Sequence, residues 1–179
     1  MNIRQSIAKS AHAFQSLVWP EINHLLGGGE LISVETVTDS RMADYLDWYA
    51  GIDAWLVRQP VMFGIASRVQ WGQAWDTFTV RSSRPDGGMQ ELQKRRLAIS
   101  NGSLWPRYTV QAYICADRLE SAAIVETDHL IALCDQLKDQ ERRNQDGTRF
   151  RYVKWSQCDE SKILTWYSPA LAAMCGGAR

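Results

Sequence analysis

Apolar residues recur at helical spacing from the start of the chain. Ile3, Ile7, Phe14, Leu17, Val18, Ile22 and Leu25 fall three, four or seven apart and predict a helix over residues 2–26 with one apolar stripe. Pro20 removes a backbone donor and crowds the preceding turn, so a kink or split is expected there. Gly27-Gly28-Gly29 predicts a firm stop. The period then shortens to two. Leu31 to Val37 alternates as a strand over residues 30–37, and a helical turn is expected over 42–48. Two strands follow at about 51–58 and 62–70, joined by a turn at Gln59-Pro60, and another spans 76–82. Arg84-Pro85-Asp86-Gly87-Gly88 reads as a loop, 89–100 as a helix ended by Asn101-Gly102, and 108–115 as a strand. The remaining elements are a helix over 128–140 capped by Thr127 and a closing hairpin of 149–156 with 162–167, split at Asp159-Glu160.

This order predicts an α/β (α+β) fold. Short links make the early strands an antiparallel meander, and the helix at 89–100 permits a parallel crossover to 108–115. The expected result is one domain over residues 1–179, a mixed sheet flanked by helices, with its core at about 10–115 and a C-terminal helix and hairpin at 127–167.

Composition narrows the class. The chain has 179 residues, 45% hydrophobic and 22% charged, as an ordinary globular protein has. Twenty basic residues balance twenty acidic ones, so no global field draws it to nucleic acid or membrane. Charge is nonetheless segregated along the chain. Arg81, Arg84, Lys94, Arg95 and Arg96 form one basic group, and Arg142, Arg143, Arg149, Arg151 and Lys154 another. Acids crowd residues 30–53. Cys115, Cys134, Cys158 and Cys175 are widely spaced and make no metal-ligand pattern with His12, His24 or His129, so free thiols in a cytoplasmic protein are expected. No run reaches membrane-spanning length. Gly27-Gly28-Gly29 leads into a strand, which is not the geometry of a phosphate-binding loop. Eight tryptophans suit either a thick core or a binding surface. Trp71 and Trp75 flank a short loop and could stack on bases or close the end of a sheet.

The sharpest chemistry lies on the Gly51–Gln70 hairpin. A turn near Pro60 places Asp53 opposite a residue between Ala66 and Arg68, and Ala66, Arg68 and Gln70 share a strand face. Asp53 beside Arg68 is either a cross-strand ion pair or the start of a site. With Glu35 or Asp47 nearby, carboxylate and amide oxygens could hold a divalent metal, and a cation could stabilise a phosphoryl transition state.

With this element order and Gly51-Ile52-Asp53 at a strand mouth, the chain resembles the PD-(D/E)XK nuclease superfamily over about residues 10–115. The resemblance implies a restriction-endonuclease-like core and a Mg²⁺-dependent hydrolase acting on DNA. It implies Asp53 as metal ligand, with Glu21 as the helical acid and Glu35 as a further acid. Arg68, Gln70 and Lys94 would complete the catalytic group, and Arg81, Arg84, Arg95, Trp71 and Trp75 would contact nucleic acid. Ala66 stands where the family carries an acid, unless Gln70, Glu35 or Glu91 substitutes. Arg68 stands where it carries a lysine, and a guanidinium is not deprotonated at working pH. The same residues therefore also fit a non-catalytic factor of a bacterial or phage-borne system that binds a protein partner or forms a homodimer through an aromatic surface.

Overall fold

In the computed structural model, residues 3–34, 40–46 and 50–169 are described. The chain opens with continuous helix. Helix α1 (Ile3–Ala13) runs through one wide π-turn (Phe14–Val18) into α2 (Trp19–Ile22) and a closing 3₁₀ turn (Asn23–Leu26). Pro20 neither breaks nor splits it. The wide turn just before Pro20 makes room for a residue that has no N–H and whose ring crowds the carbonyl four positions earlier. Gly27, at φ 79°, returns its N–H to the last turn and ends the helix as expected.

Among the described residues nine strands form two sheets. The first has six, in the order β1 (Glu30–Ser33), β2 (Ala54–Arg58), β3 (Val61–Trp71), β5 (Tyr108–Cys115), β6 (Arg118–Glu126) and β9 (Ile163–Tyr167). Strands β1, β2 and β3 are the antiparallel meander, and β5 lies parallel to β3. The crossover runs through β4 (Thr77–Ser83) and α4 (Glu91–Ser100). The second sheet has the order β4, β8 (Arg149–Lys154), β7 (Glu141–Arg143), all antiparallel. Helices α3 (Ser40–Tyr45) and α5 (Thr127–Gln136) complete the described elements. The fold is mixed α and β.

Helical residues Phe14, Val18, Trp19 and Ile22 cover one face of the large sheet, against Leu56, Ile65, Val69, Val110, Ile114 and Ile124. The other face carries Tyr113, Ala123 and Val125. It packs on Leu92 of α4, on Leu130, Ile131 and Cys134 of α5, and on Phe78, Val80 and Val153 of the small sheet. Burial pushes the thiols of Cys134 and Cys158 up to about 11, which keeps them protonated and inert. Among the described residues no helix is long and apolar enough to cross a membrane.

Several expected elements differ. Strand β4 does not continue the meander but departs into the second sheet. Strands β8 and β9 are not a hairpin, because β8 pairs with β4 and β7 while β9 pairs with β6. Strand β6, between β5 and β9, was not expected at all, nor was β7. Its Ser121-Ala122-Ala123 run has weak strand propensity, and burial on both faces decides it instead. Thr127 does not cap α5. Glu126 takes that position, and the buried Thr127 hydroxyl meets Thr109 at 2.8 Å. The strand expected at 30–37 is seen to Ser33; Glu35 and Asp47 lie outside the described residues.

Candidate functional site

The polar residues between the two sheets do one structural task together. Strand β4 is an edge of the small sheet, so alternate backbone N–H groups have no strand to bond. Each finds a side chain instead. Thr77 N–H points to Tyr113 Oη at 3.4 Å, Thr79 N–H to Gln111 Oε1 at 3.3 Å, and Arg81 N–H to Glu91 Oε2 at 3.0 Å. Tyr113 also donates to the Thr77 carbonyl at 2.8 Å, and Gln111 Nε2 donates to Gln70 Oε1 at 3.0 Å. The face of the large sheet thus satisfies the edge of the small one.

Glu91 is the centre of this group. Its Oε2 accepts from Arg68 Nη2 at 2.6 Å, and its Oε1 from Arg95 Nη2 at 2.8 Å. Burial alone would raise the carboxyl's pKa, but the charges of Arg68 and Arg95, the Arg81 N–H and the Arg81 charge together hold it at about 2. Burial and the Arg68 charge push the Arg81 guanidinium below its ordinary value. Arg95 is only 3% exposed, reaches Thr109 Oγ1 at 3.4 Å, and leaves its Nε without a partner. Three cations surround this one carboxylate.

Asp53 stands at the mouth of β2. Ala54 pairs with Ile65, and the Asp53 N–H also bonds to the Ile65 carbonyl at 2.9 Å, one position short of the expected partners between Ala66 and Arg68. Its Oδ2 accepts from Ser67 N–H at 2.6 Å, while Arg68 turns to Glu91 and to Thr79 Oγ1 at 3.4 Å. Arg68 pairs with Glu91 at 2.6 Å where a pair with Asp53 is one of the two expectations. Gln70 is held by Gln111. Lys94 lies half-buried on α4, and Glu21 is exposed on the helical layer over the opposite sheet face.

A hard cation such as Mg²⁺ needs several unclaimed oxygens. Here Glu91 is committed to two guanidinium groups and Asp53 to a backbone N–H. Among the described residues no three His, Cys, Asp or Glu side chains come together. Glu91, held by two guanidinium groups, does not give Asp53 a second free carboxylate.

The two basic runs, far apart in sequence, meet on the small sheet. Its register puts Thr77 beside Lys154, Thr79 beside Tyr152, and Arg81 beside Phe150 and then Arg142, all on one face. Arg142 and Lys154 are exposed, and the Arg142 guanidinium sits 5.2 Å from the centre of the half-buried Tyr152 ring. Arg84 is exposed on the loop after β4. Arg95 leaves the surface set because Glu91 and Thr109 hold it inside, and Arg96 is paired with Asp135. Trp71 and Trp75 are both exposed at the end of β3 and just before β4. Tyr152 and Phe150 escaped the sequence reading because a three-residue charged strand, β7, gives no apolar period to pair them with. Alternation in Arg149-Phe150-Arg151-Tyr152 was the available signal.

Comparison with protein-family models, with curated proteins and with solved structures finds no match.

Proposed function

We propose that this chain binds nucleic acid through the basic and aromatic face of its small sheet and does not hydrolyse it at the Asp53 hairpin. The carrying observation is the convergence of Arg81, Arg142 and Lys154 around Tyr152 and Phe150 on one sheet face. Guanidinium and ammonium groups neutralise phosphates, and aromatic rings between them offer stacking surfaces that any base can use. A phosphate beside Arg81 would also relieve the repulsion it feels from Arg68. The overall charge is zero, so this affinity is local to one face.

The test is binding of a labelled oligonucleotide across a salt series. Log affinity should fall linearly with log salt, and Arg142→Ala with Lys154→Ala should flatten that slope by about 0.7 per lysine or arginine removed. A salt-independent affinity, or no effect of the double variant, would overturn the reading.

A second reading, a metal-dependent nuclease, is favoured by the helix–meander–helix–strand order with Asp53 at the mouth of β2 and β5 parallel to β3. It requires Mg²⁺- or Mn²⁺-dependent cutting that Asp53→Ala abolishes. We expect no such cutting, since Glu91 is already neutralised.

A further inference from the structure

At the end of β3 lies an open cleft of about 420 Å³, lined by Ser10, Val69, Gln70, Trp71, Gln73 and Trp75. That volume falls within the range of about 300–1,000 Å³ common for small-ligand sites. Its chemistry is unusual for a surface. Trp75 is 60% exposed and Trp71 38%, although indoles are usually well covered. Lys9, on α1, holds its Nζ 4.7 Å from the centre of the Trp71 ring. Gln70 has its Oε1 fixed by Gln111, which orients the side-chain amide at the cleft wall. Gln73 adds a second amide.

The position of the cleft relates it to the sheet. Trp75 comes two residues before β4 begins at Thr77, whose register partner is Lys154. The Trp155 N–H donates to the Asp76 carbonyl at 2.9 Å and ties the end of β8 to this loop. Indole, ammonium and amide groups therefore stand at the Lys154 end of the basic face.

We propose that this cleft receives an unpaired nucleobase, making single-stranded nucleic acid the preferred ligand; this deepens the binding reading above and rests on it. Exposed indoles present flat stacking surfaces. The two amides offer both donors and acceptors, which suits base edges. A paired base is stacked on both faces and cannot enter between such groups. An oligosaccharide would also stack on tryptophan, but among the described residues the cleft lining holds no carboxylate to bind its hydroxyls. The Lys9 ammonium stands 4.7 Å from the Trp71 ring centre and supplies the cation that a phosphodiester requires.

The experiment compares a 12-nucleotide single strand, its duplex and a neutral oligosaccharide, using the full chain and its Trp75→Ala, Trp75→Phe and Lys9→Gln variants. Trp75 is exposed, so its removal should leave the melting temperature unchanged, and this is measured alongside. The single strand should bind more tightly than the duplex and quench tryptophan fluorescence. Trp75→Ala should weaken single-strand binding by about 5- to 150-fold, the range that about 1–3 kcal/mol of base stacking implies. Its salt slope should not change, and Trp75→Phe should recover most of the loss. Lys9→Gln should instead flatten the slope by about 0.7.

Duplex binding as tight as single-strand binding, with Trp75→Ala indifferent, would overturn the base cleft while leaving the basic face intact. Trp75-dependent quenching by the oligosaccharide alone would overturn it in favour of a sugar. Failure of both nucleic acids to bind would overturn this inference and the binding reading together.

Discussion

Glu91 shows how far one carboxylate's role depends on its neighbours. Alone it is an acid at the start of a helix, where the helix dipole also favours it. Between Arg68, Arg95 and the Arg81 N–H it becomes the anchor of an arginine cluster. Its carboxyl is held at about 2, below the ordinary value of 4.5, so the folded state favours the ionised form. The sign follows. The stabilisation is complete above pH 4.5 and is lost as pH falls toward 2. Glu91→Gln should cost about 3 kcal/mol at neutral pH, since it leaves buried guanidinium charge uncompensated. It should also flatten the loss of stability between pH 4.5 and 2, read from urea midpoints at each pH. Unchanged acid sensitivity would assign that loss to other carboxylates. Asp53 Oδ2 accepts from the Ser67 N–H at 2.6 Å and meets the Ser67 hydroxyl at 3.5 Å, so it too is held by its neighbours.

At the scale of elements, the edge of β4 matters most. An edge strand is an invitation to aggregate unless something covers it. Tyr113, Gln111 and Glu91 cover it at alternate residues, which matches the two-residue period of outward N–H groups on a strand. Gln111→Leu should therefore destabilise the protein by about 1–3 kcal/mol, because it leaves the buried Thr79 N–H and hydroxyl without their acceptor. Thr79→Val in that background should add little, since the two groups share one interaction. A double-mutant cycle on melting midpoints reads the coupling. Close packing decides another element in the same way. A Cβ on Gly64 of β3 would stand 2.9 Å from Ile52 Cδ1 and 3.1 Å from the Pro106 backbone, so Gly64→Ala should force the meander and the chain before β5 apart.

Across the whole molecule, the two sheets share one apolar layer. Phe78, Val80 and Val153 of the small sheet pack with Tyr113, Ala123 and Val125 of the large one, and Leu130 of α5 fills the space between. Leu130→Ala should cost about 2–5 kcal/mol through lost burial and an unfilled cavity. Both sheets should then melt together at a lower temperature, with the near-ultraviolet signal of Trp155 and the far-ultraviolet signal coinciding. Separate transitions would show that the small sheet unfolds on its own.

Periodicity by itself determined the N-terminal helix and its glycine stop, the β2–β3 hairpin, the helix at 91–100 and the mixed α and β class. These depend on local chemistry: apolar spacing, turn residues and backbone donors lie within a few positions of what they decide. The place of Asp53 at the mouth of that hairpin is legible for the same reason. Tertiary structure alone decided that β4 leaves the meander, that β6 is a central strand, and that β8 and β9 belong to different sheets. Weak local propensity in Ser121-Ala122-Ala123 yields to burial on two faces, and strand pairing over tens of residues leaves no periodic trace. It also decided the site. Arg68 pairs with Glu91, 23 positions away, and two basic runs about 60 residues apart meet on one face. Charge in sequence is a list of possibilities, and only packing determines which of them are neutralised inside and which remain outside to meet a ligand.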